Sequence, residues 1–145
     1  MKYEIKKLES KDIKGLYNLL NSIFKREIKE YCLKNLLDNK NIIDIVAIDN
    51  ELVIGHALVE IHNDLFTDEK YFYLNYFCVH KDYRCQGIGD SLLKQLEEYA
   101  KQYNIDYMKF TSGNKRVEAH RFYKNRGYII RDTSVLIKHF NGSEQ

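Results

Sequence analysis

The chain has 145 residues, 44% of them hydrophobic and 13% aromatic, which suits one compact domain with its own core. Its 23 basic and 21 acidic side chains leave a formal net charge of +2, so no concentrated field steers it onto nucleic acid or a membrane. Three cysteines, Cys32, Cys78 and Cys85, leave an odd thiol and no metal-ligand spacing, the N-terminal MKYEIKKLESKD has no export segment, and no apolar run approaches the roughly 20 residues that span a bilayer; the expectation is a soluble, cytoplasmic protein without a metal.

Residues 3 to 8 predict a strand, and Ser10 precedes an amphipathic helix in which Ile13, Leu16, Tyr17, Leu20, Ile23 and Phe24 recur at helical spacing. A second helix is expected over Lys29 to Leu37. IIDIVAI and LVIGHALVEIH, joined through Asp49, Asn50 and Glu51, predict an antiparallel hairpin, and YFYLNYFCV follows as another long strand. Then come a glycine loop, YRCQGIG, and a helix with Ile88, Leu92, Leu93, Leu96 and Tyr99 along one stripe. DYMKFT reads as a short strand, and Asn114 is placed to cap the helix KRVEAHRFYKNR. Gly127 falls where a left-handed helix terminus belongs, and YIIRDTSVLIKHF predicts one or two closing strands. With no proline, repeat or low-complexity tract to mark a linker, residues 1–145 read as a single domain of mixed α/β class with helices on the faces of a sheet.

The loop poses a chemical question. Bare amides at the start of a helix, approached through glycine, form an anion site, because the first-turn N–H groups lack intrahelical partners and the dipole is positive there. Two familiar phosphate loops fail against Gly87 and Gly89. A dinucleotide fingerprint needs a third glycine where this chain has Leu92, and a nucleotide P-loop needs Gly-Lys-Ser/Thr where it has Gly89, Asp90 and Ser91. Taken alone, the two glycines are equally an ordinary strand-to-helix turn.

VHKDYRCQGIGDSLL, with Arg84, Gly87 and Gly89, resembles the acetyl-coenzyme A loop of the GNAT superfamily of N-acetyltransferases, Arg/Gln-x-x-Gly-x-Gly/Ala. NKRVEAHRFYKNRGY is similar to the second motif of that family, with its asparagine, alanine, Phe-Tyr pair and Gly-aromatic ending. The resemblance implies the GNAT-type acyl-CoA N-acyltransferase fold, a mixed and mostly antiparallel sheet with a splayed parallel strand pair and flanking helices. It implies acetyl-CoA as cosubstrate: its pantetheine arm along Phe77, Cys78 and Val79, its pyrophosphate on the amides of Cys85, Gln86, Gly87, Ile88, Gly89 and Asp90, and Asn114 bonding the arm. Arg84 is either a charge near the phosphates or an anchor for the loop.

The implied reaction is acetyl transfer to a primary amine of a small molecule or peptide by direct attack in a ternary complex. Tyr123 takes the role of general acid for the departing thiolate, the alternative being a core aromatic beside Phe122. A backbone N–H near Cys78 is the expected oxyanion donor. Many family members carry an acid on the strand before the loop, where this chain has Asn75, a residue that orients water but takes up no proton. Alternation places His56, Glu60 and His62 on one face of the preceding strand; Glu60 or His62 is a candidate base through water, and a solvated open face is the plain alternative. The last helix is basic, and its charges serve either a phosphate or solvent. A weakly catalytic acyl-CoA sensor or interaction module is the competing reading, and nucleic-acid or membrane partners are not expected. The aromatic strands and the C-terminal strand offer an edge for a homodimer. The acceptor itself is not readable.

Overall fold

The computed structural model describes residues 2–143. Its order of elements follows the sequence expectation through the middle of the chain. Strand β1 (Glu4–Lys7) leads into a 3-10 turn, Ser10–Asp12, and helix α1 (Ile13–Ile23). Glu9 and Asp12 close a reciprocal capping box at that entry, so the cap is one residue before the expected Ser10. The second helix is shorter than predicted: α2 (Glu30–Lys34) tightens into a 3-10 turn over Asn35–Asp38. Strands β2 (Ile42–Asp49) and β3 (Leu52–Asn63) form the expected hairpin, with Asn50 and Glu51 at φ 48° and 72°, the pair of positive angles that matches strand twist in a two-residue turn.

Strand β4 (Lys70–Val79), helix α3 (Ile88–Gln102) and the short strand β5 (Tyr107–Lys109) complete the larger part. The sheet runs β1-β2-β3-β4-β5, antiparallel except for the parallel β4–β5 pair. Helices α1 and α2 close the core on one sheet face, where Leu16, Leu19, Leu20 and Leu33 pack with Leu8, Val46 and Val53. Helix α3 buries Ile88, Leu92, Leu93 and Leu96 on the other. Gly55 lets that helix come close, since a Cβ there would lie 3.1 Å from Leu92 and 3.2 Å from Ile88. No helix of the described residues is long and apolar enough to cross a membrane.

Backbone contacts divide the chain into two units, one running to Phe110 and the other starting at Thr111. In the second, a turn closed by Arg116 N–H donating to Gly113 C=O at 3.0 Å delays helix α4 (Val117–Lys124), whose N-cap is Arg116. Asn114 is therefore a corner of that turn and not the helix cap that the sequence predicts. The far end agrees with expectation: Gly127 has φ 91°, and the Gly127 and Tyr128 amides bond back to Lys124 and Tyr123 in a Schellman arrangement.

The closing strands do not form. Residues 129–143 enter no ladder, and Ile129, Ile130, Val135, Ile137, Leu136 at 92% and Phe140 at 91% are exposed. Their composition favours a strand, but a strand exists only where a neighbouring backbone accepts its hydrogen bonds, and composition does not supply the neighbour.

Candidate active site

Strand β4 outruns its parallel neighbour. β5 pairs only with Tyr71, Phe72 and Tyr73, whereas β4 continues to Val79. On the other side β4 stays paired with β3 throughout, and the bond from His80 N–H to Ile54 C=O fixes the phase of that ladder. Ile54 and His80 form a hydrogen-bonded pair, so Cys78 bonds to His56, and Phe77 and Val79 direct their N–H and C=O groups away from β3. Cys78 N–H is thus engaged within the sheet, and the outward amides near it are those of Phe77 and Val79.

The segment after β4 is shaped by two left-handed residues. Cys85 has φ 61° and Gly87, the N-cap of α3, has φ 85°. A Cβ on Gly87 would meet no atom within 4 Å, so the space in front of the loop is open. Gly89 lies inside the first turn of α3. The amides of Ile88, Gly89 and Asp90 precede the first helical bond, made by Ser91 N–H to Gly87 C=O at 3.0 Å, and they point out of the helix start. Arg84 Nε donates to Val79 C=O at 3.2 Å, which ties the loop to the end of β4. Gln86 reaches back to Asp82 C=O, and the Asp90 carboxylate pairs with Lys94 at 3.1 Å along the helix. An anion with a linear polar tail, as in coenzyme A, fits these features: helix-start amides, an open approach at a glycine, and outward strand backbone beside them.

A bulge re-aims the middle of β4. Leu58 faces Tyr76 and Val59 faces Leu74, leaving Asn75 as the extra residue. The Asn75 side-chain amide donates to Glu60 Oε1 from the facing strand, and the other Glu60 oxygen lies 3.5 Å from His62 Nε2. Three of the residues singled out by sequence therefore meet in one exposed group. His56 does not join them. It is 1% exposed and bonds Asp44 Oδ1 at 2.7 Å, Asp44 being 8% exposed. Asp44 Oδ2 and His56 Nδ1 are buried without a hydrogen-bond partner among the described residues. Asp44 escaped the sequence reading, although a lone acid inside the apolar run IIDIVAI was its signal.

Burial pushes the Cys78 thiol up to about 12, opposed by the Arg84 charge. In the second unit, Tyr123 lies on α4 between Phe122 and Tyr128, with ring centroids 5.4 Å and 5.8 Å away and both contacts edge to face. Burial raises its phenol above the ordinary tyrosine value, against a smaller opposite pull from Arg116. Among the described residues no group of three or more His, Cys, Asp or Glu side chains is arranged to hold a metal ion.

The profile of the Acetyltransferase (GNAT) family matches residues 13–128, and the chain belongs to that family and is an N-acetyltransferase. It is 28% identical over 134 residues to the aminoalkylphosphonate N-acetyltransferase of Salmonella typhimurium, covering 86% of this chain and 84% of that protein. Among solved structures it resembles a transcriptional regulator from Bacillus halodurans, with TM-score 0.83 and 22% identity over 96% of this chain and 100% of the other. It also resembles AAC(6')-Iy in complex with a bisubstrate analog, CoA-S-monomethyl-acetylneamine, with TM-score 0.84 and 12% identity over 96% and 99% of the two chains. These structural likenesses speak for the fold.

Proposed function

We propose that this enzyme transfers the acetyl group of acetyl-CoA to a primary amine of a small molecule or peptide, by direct attack in a ternary complex. The observation that carries the reading is the junction of β4 with α3, where a strand outruns its parallel partner and passes through a left-handed loop into a helix start. Acetyl-CoA supplies an activated thioester. The remaining work falls to the chain.

The amides from Cys85 to Asp90 hold the pyrophosphate, and Arg84 acts as the anchor of the loop rather than as a phosphate ligand, in keeping with its bond to Val79. The outward backbone of Phe77 and Val79 takes the pantetheine arm as it would an added strand, Asn114 gives the arm a further bond, and an outward amide of the same segment stabilises the developing oxyanion. An alkylamine of pKa about 10 arrives protonated at neutral pH. Glu60 takes that first proton through a water that the Asn75 amide orients, the carboxylate standing on β3 where relatives are expected to carry an acid on β4. As the nitrogen bonds to the acetyl carbon and the carbon–sulfur bond breaks, Tyr123 gives its phenolic proton to the thiolate and regains one from the new amide nitrogen. Its raised pKa suits that role, because the phenol stays protonated until it is needed.

The test is calorimetric titration with acetyl-CoA, followed by thiol release against primary amines that include an aminoalkylphosphonate and neamine. Binding with amine-dependent release supports the reading. Failure to bind acetyl-CoA overturns the assignment of the loop.

A further inference from the structure

Tyr76 lies on β4 between two parts of the proposed site. Asn75, bonded to Glu60, precedes it, and the outward backbone of Phe77 follows it. It opposes Leu58, which stands two residues from Glu60 along β3, so Tyr76 and the carboxylate share a face of the sheet. Tyr76 is 55% exposed. A single exposed aromatic needs no explanation by itself, but this one has a buried support. The His56 ring stacks on it, with centroids 6.4 Å apart and planes 24° from parallel, inside the range of favourable aromatic pairs. His56 is held in turn by Asp44, whose Oδ1 lies 2.7 Å from Nε2, and both residues are buried. An ionised carboxylate only accepts, so Nε2 carries the proton of that bond. Asp44 Oδ2 and His56 Nδ1 have no partner among the described residues, and apolar residues of similar volume often serve stability as well as an incompletely satisfied buried pair. What the pair gives, and two leucines could not, is a fixed plane for the imidazole and for the Tyr76 ring stacked on it.

We infer that Tyr76 is a specificity-determining residue of this enzyme: its exposed ring takes the alkyl skeleton that carries the reacting amine, and Asp44 and His56 position that ring. The inference rests on the proposed reaction, which puts the acceptor between Glu60 and the outward amides of Phe77 and Val79. An amine that yields its proton toward Glu60 and then attacks a thioester lying along Phe77 passes over Tyr76, the residue between them. By then the nitrogen is neutral, and the atoms that follow it are carbons, for which an aromatic face is an apolar partner. A hydroxyl in their place would lose its water and find neither donor nor acceptor in the face of the ring. The preferred acceptors are therefore primary alkylamines, ahead of amino alcohols of the same length.

Butylamine and 3-aminopropanol are probes of equal length that differ by a methyl group against a hydroxyl. Tyr76→Ala should lower kcat/KM about tenfold for butylamine and about twofold for the alcohol, so the preference for butylamine falls about fivefold. Comparing the same two probes in both proteins cancels their difference in basicity. Tyr76→Phe should keep the preference, and calorimetry should find acetyl-CoA bound equally by all the variants. Asp44→Asn, whose amide oxygen still accepts from Nε2, should also keep it, whereas the Asp44→Leu/His56→Leu double variant should lose most of it. A preference that Tyr76→Ala leaves untouched overturns the inference while the proposed reaction stands, and one that the double variant leaves untouched overturns the role of the pair. If no amine releases thiol, calorimetric titration of the acetyl-CoA complex with butylamine decides. Butylamine binding that weakens in Tyr76→Ala supports the contact and sinks the proposed reaction. Binding that does not change, or no binding, overturns both.

Discussion

Asn75, the extra residue of the β4 bulge, donates its side-chain amide to Glu60 on the facing strand. Asn75 stands two residues along β4 from Tyr73, the partner of Glu60, so the two side chains share a face of the sheet, and their hydrogen bond gives the carboxylate a fixed direction. Glu60→Gln preserves the shape of the group and removes its capacity for a proton. The expected result is a fall in kcat of about 100-fold with acetyl-CoA affinity retained, measured by steady-state thiol release and calorimetry. Asn75→Ala should cost about tenfold through the loss of the orienting amide. Full turnover in Glu60→Gln would exclude the carboxylate as the base.

Tyr123→Phe tests the acid. Its kcat should fall about 10- to 100-fold while calorimetry shows acetyl-CoA bound as before. The sign of the pH dependence follows from the raised pKa: the acid form persists through the neutral and mildly alkaline range, so any alkaline decline of kcat below pH 10 has another origin and should survive in Tyr123→Phe.

Gly87 separates backbone strain from ligand exclusion. A Cβ there meets nothing within 4 Å, so Gly87→Ala costs only the left-handed conformation, about 1–2 kcal/mol of stability. If the loop cradles a pyrophosphate, the loss of acetyl-CoA affinity should exceed that figure, because the methyl group enters the approach. At Cys85, φ 61° puts a side chain where glycine is at home. Relief of about 1–2 kcal/mol there is partly offset by the glycine entropy cost of about 0.5–1, so Cys85→Gly should stabilise by about 0.5 kcal/mol in denaturant unfolding.

Cys78 should resist alkylation in the folded protein. With its pKa pushed up to about 12, roughly one molecule in ten thousand carries the thiolate at pH 8, whereas Cys32 and Cys85 are exposed to reagent. Mass spectrometry after mild alkylation should find label on Cys32 and Cys85 alone. The same shift contributes to alkaline instability. The folded state holds the Cys78 proton that the unfolded chain releases near pH 9, so the destabilisation is absent below pH 9 and grows as pH rises toward 12.

The Asp44–His56 pair predicts a non-additive effect on stability. His56→Leu leaves the buried Asp44 carboxylate alone and should cost about 3–5 kcal/mol. Joining it with Asp44→Leu should recover part of the loss, because both polar groups then leave the interior together. Equal or larger destabilisation of the double variant would show that the pair is held for its packing.

Much of the framework was legible before any coordinates. Alternation marked the β2–β3 hairpin and its turn, helical spacing marked Ile88, Leu92, Leu93 and Leu96 as the buried stripe of α3, and Gly127 marked the end of α4. Local signals of this kind reside in side chains a few residues apart, so a linear reading recovers them. The closing strands were misread because Ile129, Val135 and Ile137 have strand composition, and composition does not provide a partner edge. Asn114 was misread because Gly113 and Arg116 close a turn that uses it as a corner.

By itself the sequence determined the family, through two separated motifs, and the turn at Gly87 that opens α3, since glycine turns and helix starts are local properties of the backbone. Only the tertiary structure decided that Glu60 meets Asn75, that Asp44 meets His56, and that Tyr107, Tyr71 and His62 stack in one ladder. Those contacts depend on strand register and on one bulge, and a shift of a single residue sends every side chain of a strand to the opposite face.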